Sequence, residues 1–82
     1  MPFTEAEIEK IISEKIFALT YKKVSSADEE LIESGILTSI TVAELAVEVE
    51  KTFSVSVSFM EVNKENFGSV NAVKKLIRKK SV

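Results

Sequence analysis

Few side chains in this sequence can do chemistry unaided, and that narrows the search to one serine. There is no histidine and no cysteine. The usual general base, the thiolate nucleophile, the disulfide and the usual metal ligand set are all missing. Two glycines and one proline leave no phosphate-binding glycine loop and no dinucleotide fingerprint. An autonomous enzyme is therefore not expected. What remains is SGILTSITVAEL, Ser34 to Leu45. Ser39 stands behind a glycine turn and next to Thr38, where a helical pattern begins. A hydroxyl there has two uses. It can cap the helix, or it can be a point where chemistry is attached. Thr38 can cap equally well, so residue types leave the choice open.

The elements that must position Ser39 follow from periodicity and capping signals. Residues 4–20 read as a helix. Thr4 and Glu7 have capping-box spacing, Phe3 can staple onto Ile8, and Ile8, Ile12, Ile16 and Leu19 form one apolar stripe. Residues 21–38 form a long connection pinned by Leu31, Ile32, Ile36 and Leu37, with a turn of helix expected in DEELIE. Loops of this length within small domains are uncommon and often functional. The second helix is predicted from Ser39 to Phe53. SVSVSF, residues 54–59, alternates like a strand but has no partner, so it is read as an extended connector. A short helical turn is expected within 59–67, with Phe59 and Met60 plugged into the core. Ser69 then caps a last helix through Lys79, with Val70, Val73, Leu76 and Ile77 inward. With 82 residues, the prediction is a single domain over 1–82. Its class is all-α, a small four-helix bundle with a long first loop and a short third helix.

The second helix carries two apolar stripes. At about 100° per residue, Val42, Leu45, Ala46, Val49 and Phe53 share the core side. Ile40, Ala43 and Val47 share nearly the opposite side, flanked by Glu44, Glu50 and Lys51. A surface helix needs one buried stripe. The second either covers another segment of the chain or docks partners, and periodicity alone weighs these evenly. Its start beside Ser39 favours docking.

Charge is unevenly distributed behind a net charge of −2. Asp28, Glu29, Glu30, Glu33, Glu44, Glu48 and Glu50 face only Lys51 across the middle of the chain, which suits a basic partner. Lys74, Lys75, Arg78, Lys79 and Lys80 make the end basic and read as a solvated helix face. A pI near 5.2 argues against nucleic acid. Tyr21 is a lone aromatic and is expected to pack. MPFTEAEIEK has neither the basic nor the apolar part of a signal peptide, and no apolar run approaches the roughly 20 residues that span a bilayer. The expectation is a cytoplasmic monomer with no stable membrane insertion.

LIESGILTSITVAELAVEVEKTF followed by VNKENFGSVNAV resembles the acyl carrier protein family. The likeness runs from about Leu31 to Lys79, with a compatible first helix before it. The marks are Gly35, the apolar pair before the hydroxyls, Ser39, the acidic-apolar helix ending in Phe53, and the Glu65–Asn71 segment. The resemblance implies the acyl-carrier type of bundle, with 4'-phosphopantetheine covalently attached at Ser39 and cargo held on it as a thioester. It implies a phosphopantetheinyl transferase as partner, with acyl or aminoacyl ligases, synthases and transferases in fatty acid or secondary metabolite biosynthesis. It also assigns docking to Ile40, Ala43, Glu44, Val47 and Glu50.

The sequence departs from the family where an aspartate usually precedes the serine, here Thr38. That carboxylate caps the helix and, in the family, assists the metal during transfer. Thr41 stands where many relatives have an acid, and Lys51 reverses a commonly acidic position. These differences point to a specialised stand-alone carrier. The alternative is a carrier-like interaction module that is never modified.

Overall fold

The computed structural model describes residues 2–81. Thr4 starts the first helix. Its hydroxyl accepts from the Glu7 N–H at 3.1 Å, and Glu7 Oε1 accepts from the Thr4 N–H at 2.8 Å. Two N–H groups that a helix start leaves unpaired are thereby satisfied. Helix α1 (Glu5–Thr20) ends at Tyr21, whose left-handed backbone, φ 60°, turns the chain away. Helix α2 spans Ser39–Phe53, α3 spans Lys64–Phe67 and α4 spans Val70–Lys80. A 3-10 turn at Phe59–Glu61 precedes α3. Asn63 caps α3 and Ser69 caps α4 through their side-chain oxygens. No strand forms among the described residues. The architecture is the all-α bundle that periodicity predicts.

Helix α1 lies against both α2 and α4, while α3 rests on α4. Phe3 meets Phe53 edge to face at 5.2 Å, which brings the start of α1 to the end of α2. Lys74 pairs with Glu9 at 2.6 Å and with Glu5 at 3.3 Å, and Arg78 reaches Glu5 at 2.5 Å. Helices α1 and α4 therefore run antiparallel. Ile8, Ile12 and Ile16 from α1 share one core with Leu45, Ala46, Val49 and Phe53 from α2, Phe67 from α3 and the four inward residues of α4. No polar or charged residue is buried among the described residues. Apolar burial and not polar pairing holds the helices together.

The 21–38 connection has no helix, yet it is fixed. Leu31 and Leu37 are buried in the core. The Leu31 N–H donates to the Gly68 carbonyl and the Leu37 N–H to the Leu31 carbonyl, both at 2.8 Å. Asn71 clasps the same loop from α4: its backbone N–H donates to the Ala27 carbonyl, and its side-chain amide donates to Asp28. The loop thus delivers the chain into α2 at one position.

Three local expectations differ. DEELIE folds as turns, because Leu31 and Ile32 are spent on pinning the loop. Phe59 and Met60 are 89% and 81% exposed and do not plug the core. The alternation that half-buries Val55 and Val57 stops at Ser58, where the 3-10 turn begins and the period changes. Tyr21 is 82% exposed and touches Phe17 edge to face.

Three carboxylates are held below the ordinary glutamate range. The Thr4 N–H and then its hydroxyl act on Glu7, the Ser25 N–H and hydroxyl on Glu29, and Lys80 followed by the Ser58 N–H on Glu61. Lys74 is held above its ordinary value, first by its hydrogen bond to Glu9. A lowered carboxylate stabilises above its unfolded pKa and loses that contribution as pH falls through its folded one. A raised lysine behaves in the opposite sense, stabilising below its unfolded value. The melting temperature should therefore fall once the pH drops below about 4.5. A second loss should appear above about pH 10.5. Thermal melts across pH check this. Glu61→Gln should shrink the acid-side loss, and an unchanged acid limb would refute the assignment.

Candidate functional site

Gly35 makes the turn that precedes α2. Its φ of +83° lies where a side chain is strained, and its N–H donates to the Ile32 carbonyl at 3.1 Å. A Cβ there would meet nothing within 4 Å, so backbone conformation alone demands glycine. Gly35→Ala is expected to destabilise by about 1–2 kcal/mol, with Gly35→Asn losing less. Thermal melts of both variants test the order.

Thr38 is the cap of α2. Its hydroxyl accepts from the Ile40 N–H at 3.3 Å and from the Thr41 N–H at 3.2 Å. Thr41 answers, its hydroxyl accepting from the Thr38 N–H at 2.7 Å. The two threonines make a reciprocal box without a carboxylate. That settles which hydroxyl caps and leaves Ser39 free. Ser39 is the first residue of α2 and is exposed. Its hydroxyl makes no hydrogen bond among the described residues.

The electrostatics favour an anion on that hydroxyl. Unpaired N–H groups and aligned peptide dipoles give a helix start roughly half a positive charge. No acidic residue occupies the first turn of α2, so nothing there cancels it. A phosphodiester on Ser39 Oγ would sit at the favourable end, worth about 0.3–1 kcal/mol. The residues present thus fit a covalently attached phosphate group. Among the described residues, no group of three acids, histidines or cysteines is placed to hold a metal.

The second stripe of α2 faces outward. Ile40 is 72% and Val47 46% exposed, and Ala43 and Glu44 are exposed between them. Glu44 joins no ion pair among the described residues. Glu50 differs from these four. It is half-buried, and its Oε2 accepts from the Val57 N–H at 3.0 Å. It tethers the connector to α2.

Phe59 and Met60 form a second exposed apolar pair that sequence reasoning missed. Glu61 holds their turn in place, accepting from the Ser58 N–H at 2.9 Å and pairing with Lys80 at 2.7 Å. The signal was present: Ser58 and Glu61 have capping-box spacing, which starts the turn before Phe59.

The chain matches a family model described as phosphopantetheine attachment site over residues 11–77. It is also similar to D-alanyl carrier proteins of Streptococcus pyogenes. Those of serotypes M5, M49 and M1 are each 33% identical to it over 67 residues, covering 80% of this chain and 85% of theirs.

Proposed function

Because this chain belongs to the phosphopantetheine-attachment family of carrier proteins, we propose that Ser39 is the residue that bears its arm. Members of the family carry covalently attached 4'-phosphopantetheine and are carriers, not catalysts. The observation that carries the reading is the freed Ser39 hydroxyl. Thr38 and Thr41 cap α2 between them, and Ser39 stands exposed in a helix start without acids. A separate transferase takes the arm from coenzyme A. Ser39 Oγ forms a phosphodiester as the phosphoanhydride bond of coenzyme A breaks and adenosine 3',5'-bisphosphate leaves; the serine proton passes to a base on that enzyme, since this chain has no histidine to receive it. The thiol of the arm holds an acyl or aminoacyl group as a thioester.

Cargo is then presented to ligases, synthases or transferases through Ile40, Ala43, Glu44 and Val47. The reading keeps Glu50 at the edge of this surface. The likeness to D-alanyl carrier proteins favours an aminoacyl cargo. Among the described residues, no helix is long and apolar enough to cross a membrane.

Intact mass after incubation with coenzyme A, magnesium and a broad-specificity phosphopantetheinyl transferase tests the reading. A gain of one arm is expected. The second reading, an unmodified interaction module, draws on the absent carboxylate at Thr38. If wild type gains no mass and Thr38→Asp does, the missing acid limits that transferase. If neither gains mass, the interaction module stands.

Docking has its own test. Val47→Asp puts a charge into the apolar stripe, and Glu44→Lys reverses its rim. Buried interface anchors are worth about 2 kcal/mol, or roughly thirtyfold in kcat/KM for arm transfer. Val47→Asp is expected to show about that loss and Glu44→Lys roughly tenfold. Both side chains are exposed, so stability should stay within about 0.5 kcal/mol. Unchanged transfer kinetics would remove this face from the interface.

A further inference from the structure

Exposed aromatic side chains also gather away from α2. Phe17, 43% exposed, and Tyr21, 82% exposed, lie at the end of α1 with ring centroids 6.2 Å apart. Beside them is a cleft of about 360 Å³ lined by Lys10, Ser13, Glu14, Phe17, Lys23 and Val24. Residues 10, 14 and 17 recur at helical spacing on one side of α1, and Tyr21, in the turn that ends the helix, continues the patch through its contact with Phe17. This is a second stripe. The bundle is already held by Ile8, Ile12 and Ile16, and the fold has no use for Phe17 and Tyr21 in solvent. Lys10, Lys22 and Lys23 are exposed, and none joins an ion pair among the described residues. Glu14 is the one carboxylate lining the cleft.

We propose that this cleft docks a protein partner through an apolar side chain set among acidic residues. Charge complementarity selects the acid: Lys10 and Lys23 line the cleft against Glu14 alone, with exposed Lys22 next to Lys23 in the chain. A flat anionic bilayer is recognised by clusters of about four to eight basic residues, more than this face has, and Glu14 would oppose it. The α2 face, flanked by Glu44 and by exposed Lys51, has no such excess of lysine, so the α1 cleft is a separate surface for a second protein. The surface is small, which makes the contact weak and transient.

The test is an NMR titration of the ¹⁵N-labelled full chain with three probes: a synthetic helical peptide with a leucine face flanked by glutamates, its lysine-flanked counterpart, and vesicles rich in anionic phospholipid. The acidic peptide is expected to shift the amides of Lys10, Phe17, Lys23 and Val24, with a dissociation constant in the high micromolar range. Binding should weaken at least tenfold in Lys22→Glu/Lys23→Glu and in Phe17→Asp. The lysine-flanked peptide should leave those amides unmoved. Circular dichroism melts show that the variants are folded. The proposal fails if the acidic peptide shifts nothing, shifts the α2 face instead, or binds the variants equally. It also fails if vesicles move the same amides as strongly, which would assign the face to lipid. Shifts that depend on protein concentration alone would assign it to a second copy of the chain.

Discussion

Ser39→Ala is expected to abolish arm attachment completely while leaving the fold intact. The two effects separate because of how α2 begins. Thr38 and Thr41 supply the capping bonds, and the Ser39 hydroxyl has no partner among the described residues to lose. Alanine is the best helix former, and serine is worse by only a few tenths of a kcal/mol. The melting temperature should therefore hold or rise slightly as the mass gain disappears. Thr38→Ala should do the reverse, losing about 1 kcal/mol as a cap is removed while still accepting the arm on Ser39. Intact mass and thermal melts of the two variants, run together, read both effects. A Ser39→Ala chain that still gains the arm would place the attachment elsewhere.

Phe67→Ala is expected to give the largest loss of stability, about 3–5 kcal/mol. Phe67 is fully buried and is the only buried residue of α3. That helix has four residues, far too few to be stable alone, so it stays in place through what Phe67 packs against on α4. The adjoining Gly68 carbonyl accepts from Leu31, which ties the first loop to the same point. Loss of the ring would therefore loosen α3 and the loop that leads to Ser39. A domain of this size has a total stability of roughly 4–12 kcal/mol, and each kcal/mol moves the midpoint by about 4–8 °C. A fall of at least about 12 °C is expected, or a chain unfolded at room temperature. Urea titration by circular dichroism measures it. Phe67→Leu, which keeps most of the volume, should recover most of the loss. A change below about 1 kcal/mol for Phe67→Ala would show that α3 is held by something other than this side chain.

Much of this was legible in the sequence where one physical rule acted alone. Helix α1 combines a capping box with an isoleucine stripe, and both signals agree. Helix α2 showed its two stripes because burial on one side and exposure on the other give separate clusters at 100° per residue. Ser69 marked the start of α4 by capping alone. The rest depended on contacts distant in sequence. DEELIE has helical composition, but Leu31 must reach the core and bond to Gly68, so the segment folds as turns. Phe59 and Met60 look like core residues by type. They stand in solvent because the Ser58–Glu61 box changes the backbone period before them. Glu50 fell on the flank of the second apolar stripe by angle, yet its carboxylate turns back to Val57, a partner no helical wheel contains. At the site itself, residue types left Thr38 and Ser39 equal as caps. The reciprocal Thr38–Thr41 geometry resolves that choice, and the charge-free first turn of α2 follows from it.

The measurement that tests the central claim most directly is fragmentation mass spectrometry of the transferase-treated chain, localising the arm within the Gly35–Leu45 region. Three hydroxyls, those of Thr38, Ser39 and Thr41, lie within one turn there, and only Ser39 is free of capping bonds. The expected result is the arm on Ser39 alone. An arm on Thr38, on Thr41 or outside this region, or no arm on either wild type or Thr38→Asp, would contradict it.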